Sequence, residues 1–178
     1  ACVTVTCIIS GSVVSGSGFV IQLDGNNIYL VTAAHVVSNG NGDFVDSVYI
    51  TILSANGTSE NIQSQCEIIG VDFAADVAVI RTISNKFNSA QKMLIFTENE
   101  HMPGVDVFVF GNPLGVDYGS ISRGILRDSS YVPTFGAGSV EGIYIDAAVV
   151  SGNSGGCVID NSGEVIGLAN YVNTVSID

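Results

Sequence analysis

The chain is written as short β-branched and aromatic runs separated by turn residues, with almost no apolar spacing at the helical period. Such a chain can bury its apolar side chains only by pairing strands, so the pattern predicts an all-β fold. The expected strands cover residues 3–9, 17–23, 27–32, 47–53, 63–72, 77–82, 106–110, 120–128, 142–146, 156–159 and 165–171, with one helical turn within 33–38. Asp24-Gly25-Asn26-Asn27 and Asp160-Asn161-Ser162-Gly163 carry turn chemistry. Residues 83–103 read as polar and lack alternation, which predicts a linker between two β units of similar size.

Composition narrows the function. With 47% hydrophobic and 12% charged residues in 178, the chain is globular rather than disordered. Seventeen acidic residues against five basic ones give a net charge of −12, which repels phosphate backbones and anionic lipid, so nucleic acid is not an expected partner. Every apolar run is too short for a membrane-spanning helix, and a soluble protein is expected. The chain opens on Ala1 with no basic-then-apolar leader, so any such segment is expected to have been removed or to lie outside it. Cys2, Cys7, Cys66 and Cys157 include no C-x-x-C pair and have no nearby His, which argues against structural zinc.

Chemistry has few places to sit, because only His35 and His101 are available as histidines. His101 lies in a polar loop, Glu98-Asn99-Glu100-His101-Met102-Pro103, where nothing in the sequence orients its ring. His35 follows an apolar strand inside Thr32-Ala33-Ala34-His35-Val36-Val37, where small neighbours let the imidazole stand clear. A serine flanked by glycines, Ser151-Gly152-Asn153-Ser154-Gly155-Gly156, suits a nucleophile whose surrounding backbone N–H groups converge on a developing oxyanion. The same glycines also suit a plain hairpin turn. Gly152-x-Ser154-x-Gly156 matches the nucleophile elbow of α/β-hydrolases, but that fold needs a His after the serine and none follows position 101. An acid to orient the imidazole is offered by Asp76, between Ala74-Ala75 and the apolar Val77-Ala78-Val79-Ile80, with Asp72 as a competitor.

Six segments stand in order along the chain: Gly16-Ser17-Gly18-Phe19-Val20-Ile21, Thr32-Ala33-Ala34-His35-Val36-Val37, Asp76-Val77-Ala78-Val79-Ile80, Phe110-Gly111-Asn112-Pro113-Leu114-Gly115, Asp146-Ala147-Ala148, and Gly152-Asn153-Ser154-Gly155-Gly156 followed by Gly163-Glu164-Val165-Ile166-Gly167. Together they resemble the chymotrypsin-like, trypsin-fold serine proteases, and among these the HtrA-type branch. The resemblance implies two antiparallel six-stranded β-barrels with the site between them. Residues 1–83 would be the barrel carrying His35 and Asp76, 84–103 the linker, and 104–178 the barrel carrying Ser154. It also implies a serine endopeptidase with His35, Asp76 and Ser154 as catalytic triad, and an oxyanion hole at Gly152, Asn153 and Ser154, where the N–H groups of Gly152 and Ser154 donate and Asn153 shapes the loop. No cofactor or metal is implied, and the partner is a polypeptide substrate. HtrA relatives are often trimers and often extracytoplasmic, so a homo-oligomer outside the cytoplasm is the corresponding expectation.

The resemblance places the base of the primary specificity pocket at Ala148, followed by Val149, Val150 and Ser151, with Leu168, Ala169 and Asn170 pairing with the substrate backbone. No acid stands there to select Lys or Arg. A small apolar pocket lined by Val149, Ala169 and Val172 is expected, favouring Val, Ala or Leu before the cut. The family usually adds another strand after the equivalent of this C-terminal segment, so the second barrel is expected to be incomplete. Cys157, three residues after Ser154, is expected to be a packed free thiol. Two alternatives accompany this reading: a self-processing domain of a larger precursor, and an inactive protease-fold binding module.

Overall fold

β1 (Cys2–Ile9) turns Val3, Val5 and Cys7 into the interior and pairs with β2 (Ser12–Asp24) through a two-residue turn. Ser10 and Gly11 in that turn both have positive φ, 48° and 80°, the geometry whose twist matches a hairpin. In this computed structural model the described residues are 2–39, 42–51, 64–84, 93–112, 119–132 and 140–170. β2 starts earlier than alternation predicted, because Val13 and Val14 pair with β1 while pointing largely to solvent. Ladder hydrogen bonds hold a strand where burial does not.

β3 (Asn27–Ala33), a single 3-10 turn (Ala34–Val36), β4 (Ser47–Thr51), β5 (Ser64–Asp72) and β6 (Val77–Ile83) complete a closed antiparallel barrel in the order β1-β2-β3-β6-β5-β4. Val5, Val20, Leu30, Ile50 and Ile80 are fully buried inside it. Closure through the β1–β4 pairing leaves this barrel without a free sheet edge.

The second unit contains β7 (Asp106–Gly111), β8 (Ser120–Tyr131), β9 (Gly142–Ile145), β10 (Cys157–Ile159) and β11 (Val165–Leu168), in the order β11-β10-β7-β8-β9. The resemblance implied a six-stranded barrel expected to be incomplete here; among the described residues five strands form a curled half-barrel over Val107, Val109, Leu126 and Val158. The strand expected to run on to Tyr171 stops at Leu168, and residues 171–178 lie outside the described part.

The segment read as a polar linker is a working part of the packing. Met93-Leu94-Ile95-Phe96 is apolar. Leu94 N–H donates to Val20 O (2.9 Å), and Val165 N–H donates to Ile95 O (2.7 Å) while Thr97 N–H donates to Val165 O (3.0 Å), so the segment is stitched to both units. Phe96 also lies 6.1 Å from Phe19, ring centre to ring centre. Four consecutive apolar residues inside a polar stretch show no alternation, which is why the sequence hid them.

Candidate active site

The β3–β6 register ends at Ala33↔Val77, so the next residues of each strand meet at the barrel rim. There Ala34 N–H donates to Asp76 O (3.1 Å). Asp76 takes φ +54°, a left-handed conformation that Asp tolerates better than most residues, and this turns its carboxylate back over the 3-10 turn. One oxygen, Oδ1, accepts the His35 backbone N–H (2.9 Å), and Oδ2 lies 2.7 Å from His35 Nδ1. Asp76 is buried, whereas the His35 side chain is 48% exposed. With Nδ1–H donated to the carboxylate, a neutral ring carries its lone pair on Nε2. That nitrogen has no hydrogen-bond partner among the described residues. Asp72, the competing acid, is instead a turn residue: its Oδ1 accepts the N–H groups of Ala74 and Ala75.

Ser154 reaches the same rim because its loop is pressed onto β2 and β3. Gly155 has φ +86°, and a Cβ there would stand 2.1 Å from Ser17 O and 2.8 Å from Ala33 N, two residues before His35. Only glycine fits so close an approach. In the loop, Asn153 N–H donates to Val150 O, Gly155 N–H to Ala169 O and Gly156 N–H to Asn153 O. Within residues 152–156 the two remaining N–H groups, those of Gly152 and Ser154, donate to no acceptor among the described residues. No hydrogen bond joins the Ser154 hydroxyl to the His35 ring here.

Two residues that sequence reasoning quoted without assigning a role hold this loop in place. Ser17, fully buried, donates its N–H to Ser154 O (2.7 Å) and its hydroxyl to Gly152 O (2.7 Å). The same Oγ accepts Asn112 N–H (2.8 Å), and Asn112 Oδ1 accepts Gly119 N–H (2.7 Å). Their signal in the sequence was polarity against an apolar strand, each next to glycine.

Along the expected specificity wall, Ala148 is exposed with its carbonyl held by the Ser122 hydroxyl (2.6 Å), while Val149 and Ala169 pack in one apolar cluster. Val150 and Ser151 are exposed, Leu168 ends β11 half-buried, and Asn170 Nδ2 donates to Ala75 O (3.4 Å). Val172 lies outside the described residues.

Comparison with known proteins bears on the assignment of this geometry. Residues 16–168 match the family described as the trypsin-like peptidase domain. The chain belongs to that family. This peptidase domain is 37% identical over 161 residues to a probable periplasmic serine endoprotease DegP-like of Brucella suis biovar 1 (strain 1330), covering 88% of the chain and 27% of that relative. It is 32% identical over 166 residues to a serine protease HtrA-like of Staphylococcus aureus (strain USA300), covering 86% of the chain and 19% of that relative. The chain thus spans about a quarter or less of the relatives' length. Among solved structures, that of Deg5 aligns with a TM-score of 0.76 at 25% identity over 96% of this chain and 78% of the other. The HtrA-type protease AlgW with tripeptide aligns at 0.75 and 24% identity, over 94% and 50% of the two chains, which supports the fold. The peptidase domain is therefore trypsin-fold and HtrA-like.

The peptidase domain contains a second histidine–carboxylate pair, contrary to the expectation that nothing orients His101. His101 Nε2 lies 2.9 Å from Asp160 Oδ2 and Nδ1 lies 3.0 Å from Asn99 O. Both ring nitrogens face acceptors inside the fold, so neither is turned toward a substrate, and the pair ties His101 to the β10–β11 turn. Burial raises the pKa of Asp160, but hydrogen bonds from His101 and from the Glu164 and Ser162 N–H groups outweigh it and hold the carboxyl below its ordinary value. A lowered folded-state pKa contributes stability above the ordinary carboxylate pKa, lost as pH falls through the folded value. Denaturant midpoints measured down the acid range are therefore expected to fall less steeply in Asp160→Asn than in the native chain, from a lower starting point. Parallel curves would show that Asp160 is not part of the acid response.

Proposed function

We propose that this chain is the catalytic domain of an HtrA-like serine endopeptidase. Ser154 Oγ attacks the scissile carbonyl as its proton passes to His35 Nε2. The resulting imidazolium is stabilised by Asp76, which also fixes the tautomer that leaves Nε2 able to accept. The oxyanion is received by the N–H groups of Gly152 and Ser154, and collapse expels the amine leaving group with the proton from His35. Water, deprotonated by the same nitrogen, then hydrolyses the acyl-enzyme at Ser154. The hydroxyl–imidazole hydrogen bond forms as substrate closes the site, as free enzymes often leave this contact long.

The observation that supports this reading best is the 2.7 Å His35–Asp76 pair with its outer nitrogen free, at the rim against which the Ser154 loop is pressed. The absence of an acidic side chain at residues 147–151 and 168–170 favours small or medium aliphatic residues before the cut. A net charge of −12 disfavours acidic substrates. With relatives described as periplasmic, the proposed place of action is outside the cytoplasm.

The test is labelling of the folded chain by a fluorophosphonate probe. One adduct at Ser154 is expected, absent from Ser154→Ala and strongly slowed in His35→Ala. Mapped cuts in an unfolded polypeptide are expected after Val, Ala or Leu. A folded chain that takes no probe would sink the proposal in favour of a binding module.

A further inference from the structure

Cys2 and Cys157 are separated by 155 positions, yet their sulfurs lie 3.2 Å apart. Cys2 opens β1 and pairs with Phe19 of the first barrel, while Cys157 opens β10 of the second unit. Around them Phe19, Val31 and Val165 form the apolar seam between the two units. We propose that Cys2 and Cys157 are a redox-active pair that forms an intramolecular disulfide across this seam, oxidised by a low-molecular-weight disulfide such as glutathione disulfide.

The geometry asks little. A disulfide needs the sulfurs about 2.05 Å apart, so the pair closes by roughly an ångström of side-chain movement. Access and reactivity both assign the first step to Cys2. It is only partly buried, whereas Cys157 is 1% exposed. The hydrogen bond with Cys157 lowers the Cys2 pKa against the opposing effect of burial, and the same bond, together with burial, raises that of Cys157. The Cys2 thiolate attacks one sulfur of glutathione disulfide, forming a mixed disulfide and releasing one glutathione thiolate. Cys157 then loses its proton and attacks Cys2 Sγ, releasing the second glutathione. Two protein thiols become one disulfide as one glutathione disulfide becomes two glutathiones. The remaining cysteines lack this geometry: among the described residues neither Cys7 nor Cys66 has a sulfur–sulfur contact, Cys66 Sγ donates to Ser64 O (3.6 Å), and burial pushes both thiols up to about 12.

The bridge would join the strand that follows the Ser154 loop to the first strand of the other barrel, closing nearly the whole chain into one loop. This proposal does not depend on peptidase activity. The full chain is incubated with glutathione disulfide, unfolded, alkylated and mapped by peptide mass at acid pH. The expected product has lost two hydrogens, with the bridge mapped to Cys2–Cys157 and with Cys7 and Cys66 alkylated. Dithiothreitol is expected to lower Tm by roughly 5–15 °C, and to leave the Tm of Cys2→Ser and Cys157→Ala unchanged. Four alkylated cysteines after oxidation, a bridge between Cys7 and Cys66, or a persistent glutathione adduct on Cys2 would each overturn it. The mapping uses the native chain, so the outcome does not hinge on either variant folding.

Discussion

Asp76→Asn is expected to lower kcat by about 10⁴-fold while the chain stays folded and KM changes little. The size of the effect comes from the tautomer. In the native chain Asp76 Oδ2 faces His35 Nδ1 at 2.7 Å and Oδ1 accepts the His35 N–H at 2.9 Å. An asparagine can keep its carbonyl on that backbone N–H, but it then presents an NH₂ group to Nδ1. The ring answers by moving its proton to Nε2, the nitrogen proposed to accept the serine proton. The backbone is spared, because Asn is also at ease at φ +54°. Asp76→Ala is the informative contrast, for a left-handed alanine costs about 1–2 kcal/mol and lowers Tm as well as rate. Steady-state kinetics on a peptide ending in valine before the cut, with thermal melts of both variants, separates the two. A loss below tenfold in Asp76→Asn would remove Asp76 from the mechanism.

What the sequence disclosed and what it hid divide along contact range. Strands such as β3 and β6 were legible because alternation is a local property, set by the two-residue period of the pleat. His35 and Ser154 were legible because small residues and glycines around a reactive group are unusual in a strand-rich chain. The choice of Asp76 over Asp72 was legible only as context; it becomes concrete when β3 and β6 pair and bring residues 41 positions apart into hydrogen-bond contact. His101 and Asp160, 59 positions apart, gave no local sign of each other, nor did Cys2 and Cys157. The incomplete second barrel was expected from the resemblance alone; alternation could not supply it, because closure depends on which edges meet, not on whether each segment alternates. Phe96 and its neighbours stayed unread because one β-bridge carries no period at all.

Ser17→Ala is expected to lower kcat by about 10–10²-fold with a smaller change in KM, although Ser17 has no chemistry of its own in the proposed reaction. The carbonyls it holds belong to Gly152 and Ser154, the two residues whose N–H groups are proposed to receive the oxyanion. Losing a whole oxyanion donor typically costs about 10²–10³ in rate, and a loosened one costs a fraction of that. In the alanine variant the Ser17 N–H still holds Ser154 O, so only the Gly152 end of the loop is released. The hydroxyl also leaves Gly152 O and Asn112 N–H without their buried partner, at about 1–3 kcal/mol for each unsatisfied group, which lowers Tm. Stability and rate are separated by assaying well below the melting transition, where both proteins are fully folded. There, a drop confined to kcat identifies an interaction made in the transition state, while a rise confined to KM would mean that the hydroxyl only shapes the substrate groove.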